Sequence, residues 1–180
     1  MVKARMMKKS AEQERPGERG GGAIAGAVTS SVGPENVDVD VLAMSLLDRV
    51  DYADHFVLAH ETDPGQRPEQ WARAMFGDTP DLIERFLWSG ILRLRLQSGR
   101  SAGTIAGWRI TDRGDDWVSV AAASRSMSAV LVIRARASTV ELATLVRYDR
   151  SRARLVWVPT AFVHRRLAPG LLRSTGRSMA

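Results

Sequence analysis

The chain contains no cysteine in 180 residues, which excludes disulfides, thiolate zinc sites, iron–sulfur clusters and thiol nucleophiles, and which fits a reducing compartment. Histidine is nearly as scarce. His55, His60 and His164 are the three present, and none lies in the HxxxH or HxH spacing that brings two imidazoles onto one metal, so no metal site is expected. Aromatic residues make up 6% of the chain, yet five of them are tryptophan. Long apolar runs are missing too: the stretch from Ala23 to Val32 is too short and polar for a membrane helix, and the charged segment before it is too long for a standard signal peptide. A cytoplasmic protein without a membrane span is the reading that follows. No Ser-His-Asp order, paired-carboxylate spacing or phosphate loop points to hydrolysis or group transfer. Gly20, Gly22 and Gly26 have loop-like spacing, but a structureless charged tail precedes them where a dinucleotide site needs a buried strand, so no cofactor is expected.

What the chain does have is positive charge, +6 net with an isoelectric point near 10.6. The charge is unevenly spread. Acids outnumber bases from Glu35 to Glu84, whereas from Met127 onward ten arginines face only Glu141 and Asp149. Such polarity can steer an acidic protein partner. It argues less well for nucleic acid, because the basic residues are not interleaved with stacking aromatics and no helix-turn-helix or RNA-binding signature is present. Oligomeric state stays open, a homodimer included.

Composition divides the chain near residue 37. Residues 1–36 mix alternating charge with Gly, Ala, Ser and Pro, which cannot bury enough apolar surface to fold, and are expected to be a disordered tail or a start-site artefact. Residues 37–180 are read as one domain. Val37, Val39 and Val41 alternate with Asp38 and Asp40 as an extended segment, and Tyr52 to His60 alternates again with Tyr52, Asp54, Phe56, Leu58 and His60 on one face. Pro68 opens a helix whose apolar face carries Trp71 and Met75, and Thr79-Pro80-Asp81 starts a second, running to about Leu96.

Five short β segments then follow, at about 104–112, 117–124, 127–136, 139–148 and 152–160, separated by turn chemistry. Alternation places Arg134, Arg136, Glu141, Arg147, Arg152 and Arg154 on a solvent side, and Leu131, Ile133, Leu142, Thr144, Val146, Leu155 and Trp157 on an apolar side. Trp108 and Ile110 join the apolar side, with Gly107 marking a close backbone approach.

The segments "DYADHFVL", "PEQWARAMF", "GTIAGWRI", "TLVRYDRSRARLVW" and "VHRRLAPGLL" together resemble a small actinobacterial family of unknown function, one assigned to the helix-grip superfamily of START-like and polyketide-cyclase-like (SRPBCC) proteins. The resemblance spans about residues 48–175. It implies an α+β helix-grip fold: a curved antiparallel sheet of about six strands wrapped around a C-terminal helix, with a helix pair between the first two strands. It also implies an apolar cavity between sheet and helix, which in the wider superfamily binds lipids, hormones or polyketides and in some members catalyses cyclisation or dehydration. Pro169 and Gly170 fall inside that closing helix and are expected to split, kink or shorten it.

Candidate lining residues are Phe56, Leu58, Trp108, Leu131, Leu142, Thr144 and Trp157, with His60 and His164 as speculative proton carriers. Asp54 is expected to pair with an arginine. Three functions are compatible with this pattern. The first is a carrier or sensor of a small hydrophobic ligand; the second is a cyclase-like enzyme using acid–base chemistry without a cofactor; the third is a charge-driven interaction module working through an arginine-rich sheet face.

Overall fold

Period-two alternation over residues 52–60 and 104–148 builds an antiparallel sheet. The computed structural model describes residues 26–61, 65–80 and 86–180. Its strands are β1 (Val28–Val32), β2 (Tyr52–Ala59), β3 (Thr104–Ile105), β4 (Trp108–Arg113), β5 (Trp117–Ala123), β6 (Met127–Arg136) and β7 (Thr139–Tyr148). They form one seven-stranded antiparallel sheet in the order β1-β2-β7-β6-β5-β4-β3. Helices α1 (Val39–Ala43), α2 (Pro68–Phe76) and α3 (Arg152–Met179) complete the α+β fold, with a π-helical turn at Phe86–Ile91.

Several local expectations give way to tertiary structure. Part of the tail expected to be disordered is β1, paired along its length with β2 from Val28↔Leu58 to Val32↔Asp54. Its residues are mostly exposed or half-buried, so main-chain pairing rather than side-chain burial holds it, and composition carries no sign of that. The glycines at 20 and 22 lie outside the described residues. Val37–Val41 is not extended throughout: Val39 begins α1. Val37, just before α1, and Val41 within it are buried together against Ala53, Val130, Val132, Ala143 and Leu145 on the outer face of the sheet.

The segment expected as one strand at 104–112 is a hairpin. Ile105 pairs with Trp108, and Ala106 and Gly107 between them both have positive φ, 49° and 80°, as a two-residue turn with the twist of its strands requires. A Cβ on Gly107 would stand 2.8 Å from the Gln97 carbonyl oxygen, the close approach that the glycine allows. The helix starting near Thr79 crosses residues 81–85, outside the described residues. Beyond Ile91 the chain is no longer helical; Arg95 N–H instead bonds the Ala123 carbonyl and Gln97 N–H bonds that of Gly107.

The largest correction concerns residues 152–160, expected as a strand. They are the first third of α3, 28 residues long and continuous through both Pro159 and Pro169. The buried positions Ala153, Trp157, Thr160, Ala161, Ala168, Leu172, Thr175 and Gly176 follow helical spacing, and Leu155, expected on the inner face, is 79% exposed. Each internal proline removes one hydrogen bond and costs about 3 kcal/mol in an isolated helix. Burying the Trp157–Leu172 face against the sheet and α2 recovers that, since most helical stability in proteins comes from packing.

The sheet therefore has two covered faces. The inner face, with α2 and α3, holds the main core around Phe56, Trp71, Trp108, Ile133, Leu142 and Trp157. On the outer face Arg134 is 5% exposed and Glu141 6%. Arg134 pairs with Asp116 (3.4 Å) and Glu141 (3.8 Å), Arg136 with Asp116 (3.0 Å) and Glu141 (3.5 Å), and Arg147 with Asp48 and Asp149. His55 Nε2 reaches Glu141 Oε2 at 3.1 Å. The solvent-facing arginine sheet expected from alternation is thus corrected: its three sheet arginines are paired within the chain, and Arg152 and Arg154 belong to α3.

Candidate functional site

Between the inner face of the sheet and α3 lies a cavity of about 160 Å³. Strands supply Trp108, Ala129, Leu131, Leu142 and Thr144. The chain after α2 supplies Trp88, Leu92 and Leu94, and α3 supplies Trp157, His164, Leu167, Ala168 and Leu171. Strand residues two apart and helix residues spaced by three, four or seven meet here, because those are the periods at which each element faces the core. Trp88 stands edge-on to Trp108 (ring centroids 5.4 Å apart) and to Phe76 (6.1 Å).

Two of these tryptophans are electrostatically incomplete. Trp108 and Trp157 are 3% and 4% exposed, and neither indole Nε1 has a hydrogen-bond partner among the described residues. A buried N–H without an acceptor is uncommon and costly. Trp71 Nε1 is in the same position, but its ring lies away from the cavity, packed edge-on against His60 at 5.2 Å.

A polar chain enters the cavity from β2. Asp54, fully buried, accepts a 2.7 Å hydrogen bond from the Tyr52 hydroxyl, to which Arg165 Nη1 donates at 3.5 Å. The other carboxylate oxygen lies 3.4 Å from His164 Nε2, which is also 3.0 Å from Thr144 Oγ1. Asp54 Oδ1 has no hydrogen-bond partner among the described residues, and the Thr144 hydroxyl and the imidazole can each act as donor or acceptor to the other. An imidazole beside a buried carboxylate is an arrangement used in general acid–base chemistry. Among the described residues no group of three or more His, Asp or Glu side chains converges to hold a metal ion.

No family model, no curated protein and no solved structure matches this chain. No helix among the described residues is long and apolar enough to cross a membrane.

The sequence-derived lining set divides accordingly. Trp108, Leu131, Leu142, Thr144, Trp157 and His164 come together on the cavity wall. Phe56 lies one layer deeper, its ring 6.0 Å from the His164 imidazole. Leu58 and His60 sit at the other end of α3, where a Cβ on Gly176 would meet Leu58 Cδ2 at 2.9 Å and His60 Nδ1 at 3.4 Å. Asp54 pairs with Tyr52 and His164 rather than directly with an arginine. Trp88 and Leu92 are absent from the sequence-derived set, because the segment was expected as one helix to about Leu96, whereas the chain leaves the helix after the turn at Phe86–Ile91. The Asp54 network had one visible signal, a carboxylate midway along the apolar face of β2.

Burial, the charge of Asp54 and the hydrogen bond to it, in that order, raise the pKa of Tyr52 above the usual phenol range. Burial chiefly raises that of Tyr148. These are the chain's two tyrosines. The unfolded chain loses both protons near pH 10 while the folded state retains them, so this stabilisation is complete below about pH 10 and declines as pH rises toward the folded values. Native tyrosinate absorbance is expected to rise only above the ordinary phenol range. The urea midpoint should fall between about pH 9 and about pH 11, with a shallower slope in Tyr52→Phe; native titration near pH 10 would contradict this.

Proposed function

We propose that the protein binds a small hydrophobic molecule in the cavity between the sheet and α3, as a carrier or sensor. The observation that carries the reading is an apolar cavity bordered by two buried indole N–H groups without acceptors among the described residues. Apolar walls with a few polar groups that fix orientation are what small-molecule sites require. A cavity of about 160 Å³ is close to the engineered void of about 150 Å³ that takes up benzene. The occupant is therefore a single ring or a short branched chain with an acceptor oxygen, and a multi-ring polyketide exceeds the space. Membership of the START-like helix-grip superfamily is proposed on the same footing, supported by strand–helix–strands–helix order and the long C-terminal helix on the concave face.

A second reading, acid–base turnover of the bound molecule, is favoured by the Asp54–His164 pair at the cavity wall. One experiment addresses both. Native mass spectrometry of protein purified from its own host is expected to show a non-covalent adduct, and tryptophan emission should shift when the extracted compound is added back. Absence of an adduct, with emission unmoved by a panel of single-ring and short-chain compounds, rejects the binding reading. His164→Ala should still bind the compound; conversion by the wild type that stops in this variant supports turnover, and equal conversion by both removes His164 from any reaction.

A further inference from the structure

We infer that the ligand is an amphipathic anion, its apolar part in the tryptophan-lined cavity and its carboxylate or phosphate in an arginine cleft beside it; this rests on the binding reading above. The cleft is open, about 830 Å³, and presents Arg93, Arg95, Arg125 and Arg152 with Ser124 and Ser126. Leu92 belongs to both the cleft and the apolar cavity. The walls also run from one to the other: along β6 from Met127 to Ala129, and along α3 from Val156 to Trp157.

Four arginines gathered on one concavity distinguish this cleft. Arg49, Arg73, Arg113, Arg134, Arg136 and Arg147 each have a carboxylate partner. None of the four cleft arginines has one among the described residues, and none of the described residues lining the cleft is acidic. Four guanidinium groups around one concavity repel one another unless an anion joins them, and a guanidinium fork suits two oxygens of a carboxylate or phosphate.

The backbone strengthens the field. The first turn of α3 contains no acid and places Arg152 on the cleft, at the positive end of a long helix, where an anion is the favoured occupant. Main-chain bonds hold the cleft together: Arg95 N–H to the Ala123 carbonyl, and Asp149 and Arg150 N–H to that of Ser126. Arg93 has φ of 53°, a conformation uncommon for a non-glycine residue. The buried Trp157 N–H, on the cavity side of the same helix turn, supplies the independent sign that something occupies the joined space.

Phenylbutyrate and phenylbutanol, which differ only in the carboxylate, test the inference by calorimetry and tryptophan emission with the full chain. At low salt the acid should bind about tenfold more tightly than the alcohol, the difference shrinking as salt rises. The Arg93→Gln/Arg125→Gln variant should bring the acid down to the alcohol's affinity while leaving the alcohol unchanged. Inorganic phosphate should bind more weakly than phenylbutyrate. Equal affinity of acid and alcohol, or a gap that survives in the double variant, overturns the anion assignment and leaves hydrophobic binding standing. Phosphate binding as tightly as phenylbutyrate overturns the joined site, since the tail then contributes nothing. Failure of both phenyl compounds, together with no native adduct, overturns the binding reading and this inference with it.

Discussion

Asp54→Ala is expected to lower unfolding free energy by about 3 kcal/mol, the upper size associated with hydrogen bonds to a charged group. The carboxylate is fully buried and is shared by Tyr52 at 2.7 Å and His164 at 3.4 Å. Its loss leaves a phenol hydroxyl and an imidazole facing each other's former acceptor, and leaves Arg165 beside a hydroxyl no longer oriented by the charge. Alanine also leaves a void on the inner face of β2, which adds to the cost. Asp54→Asn keeps the shape and one acceptor for Tyr52, so about half the loss is expected. Urea denaturation at neutral pH measures both. A loss below about 1 kcal/mol in Asp54→Ala would show that the network does not hold β2 to α3.

Filling the cavity is the second large effect. Ala168 is 3% exposed and lines the cavity from α3; Ala168→Leu adds three carbons to a space for roughly one benzene ring. Binding of the adduct found by native mass spectrometry is expected to weaken at least tenfold. Stability should stay within about 1.5 kcal/mol of wild type, because the added carbons occupy space that is already empty. Leu131→Ala works in the opposite direction. It enlarges the cavity, costs about 2–5 kcal/mol, and should admit a larger ring than the wild type accepts. Calorimetry on the folded variants separates the two, and undiminished binding in Ala168→Leu would place the ligand elsewhere.

Most of the sheet was legible in the sequence. β2, β5, β6 and β7 lie where period-two alternation puts them, and α2 begins at the proline that suits a first helical turn. Alternation also assigned Leu131, Ile133, Leu142 and Val146 to one face, and these four share the inner core. Alternation failed at residues 152–160. There Arg152-Ala153-Arg154 followed by Leu155 to Trp157 satisfies a period of two for a few residues, and two prolines disguise the helical period that Ala153, Trp157 and Ala161 carry further on.

The site was legible in part for the same reason. Trp108, Leu131, Leu142, Thr144, Trp157 and His164 meet at the cavity, yet the argument that placed Trp157 there was a strand and the element that brings it is a helix. The arginine excess was plain in the composition, but its division was not. Arg134 and Arg136 are drawn to Asp116 and Glu141 across neighbouring strands, while Arg93, Arg95, Arg125 and Arg152 come from three separated segments to one cleft with no carboxylate partner among the described residues.

By itself the sequence determined β2, β5, β6 and β7, the inner face of the central sheet and the absence of cysteine chemistry, because side-chain period and composition are properties of contiguous residues. Only the tertiary structure decided that α3 runs unbroken through Pro159 and Pro169, that Asp54 meets His164 across 110 positions of chain, and which arginines stay unpaired. Those outcomes depend on packing free energy gained between distant segments, which outweighs the local cost of a proline and selects partners that no short window of sequence contains.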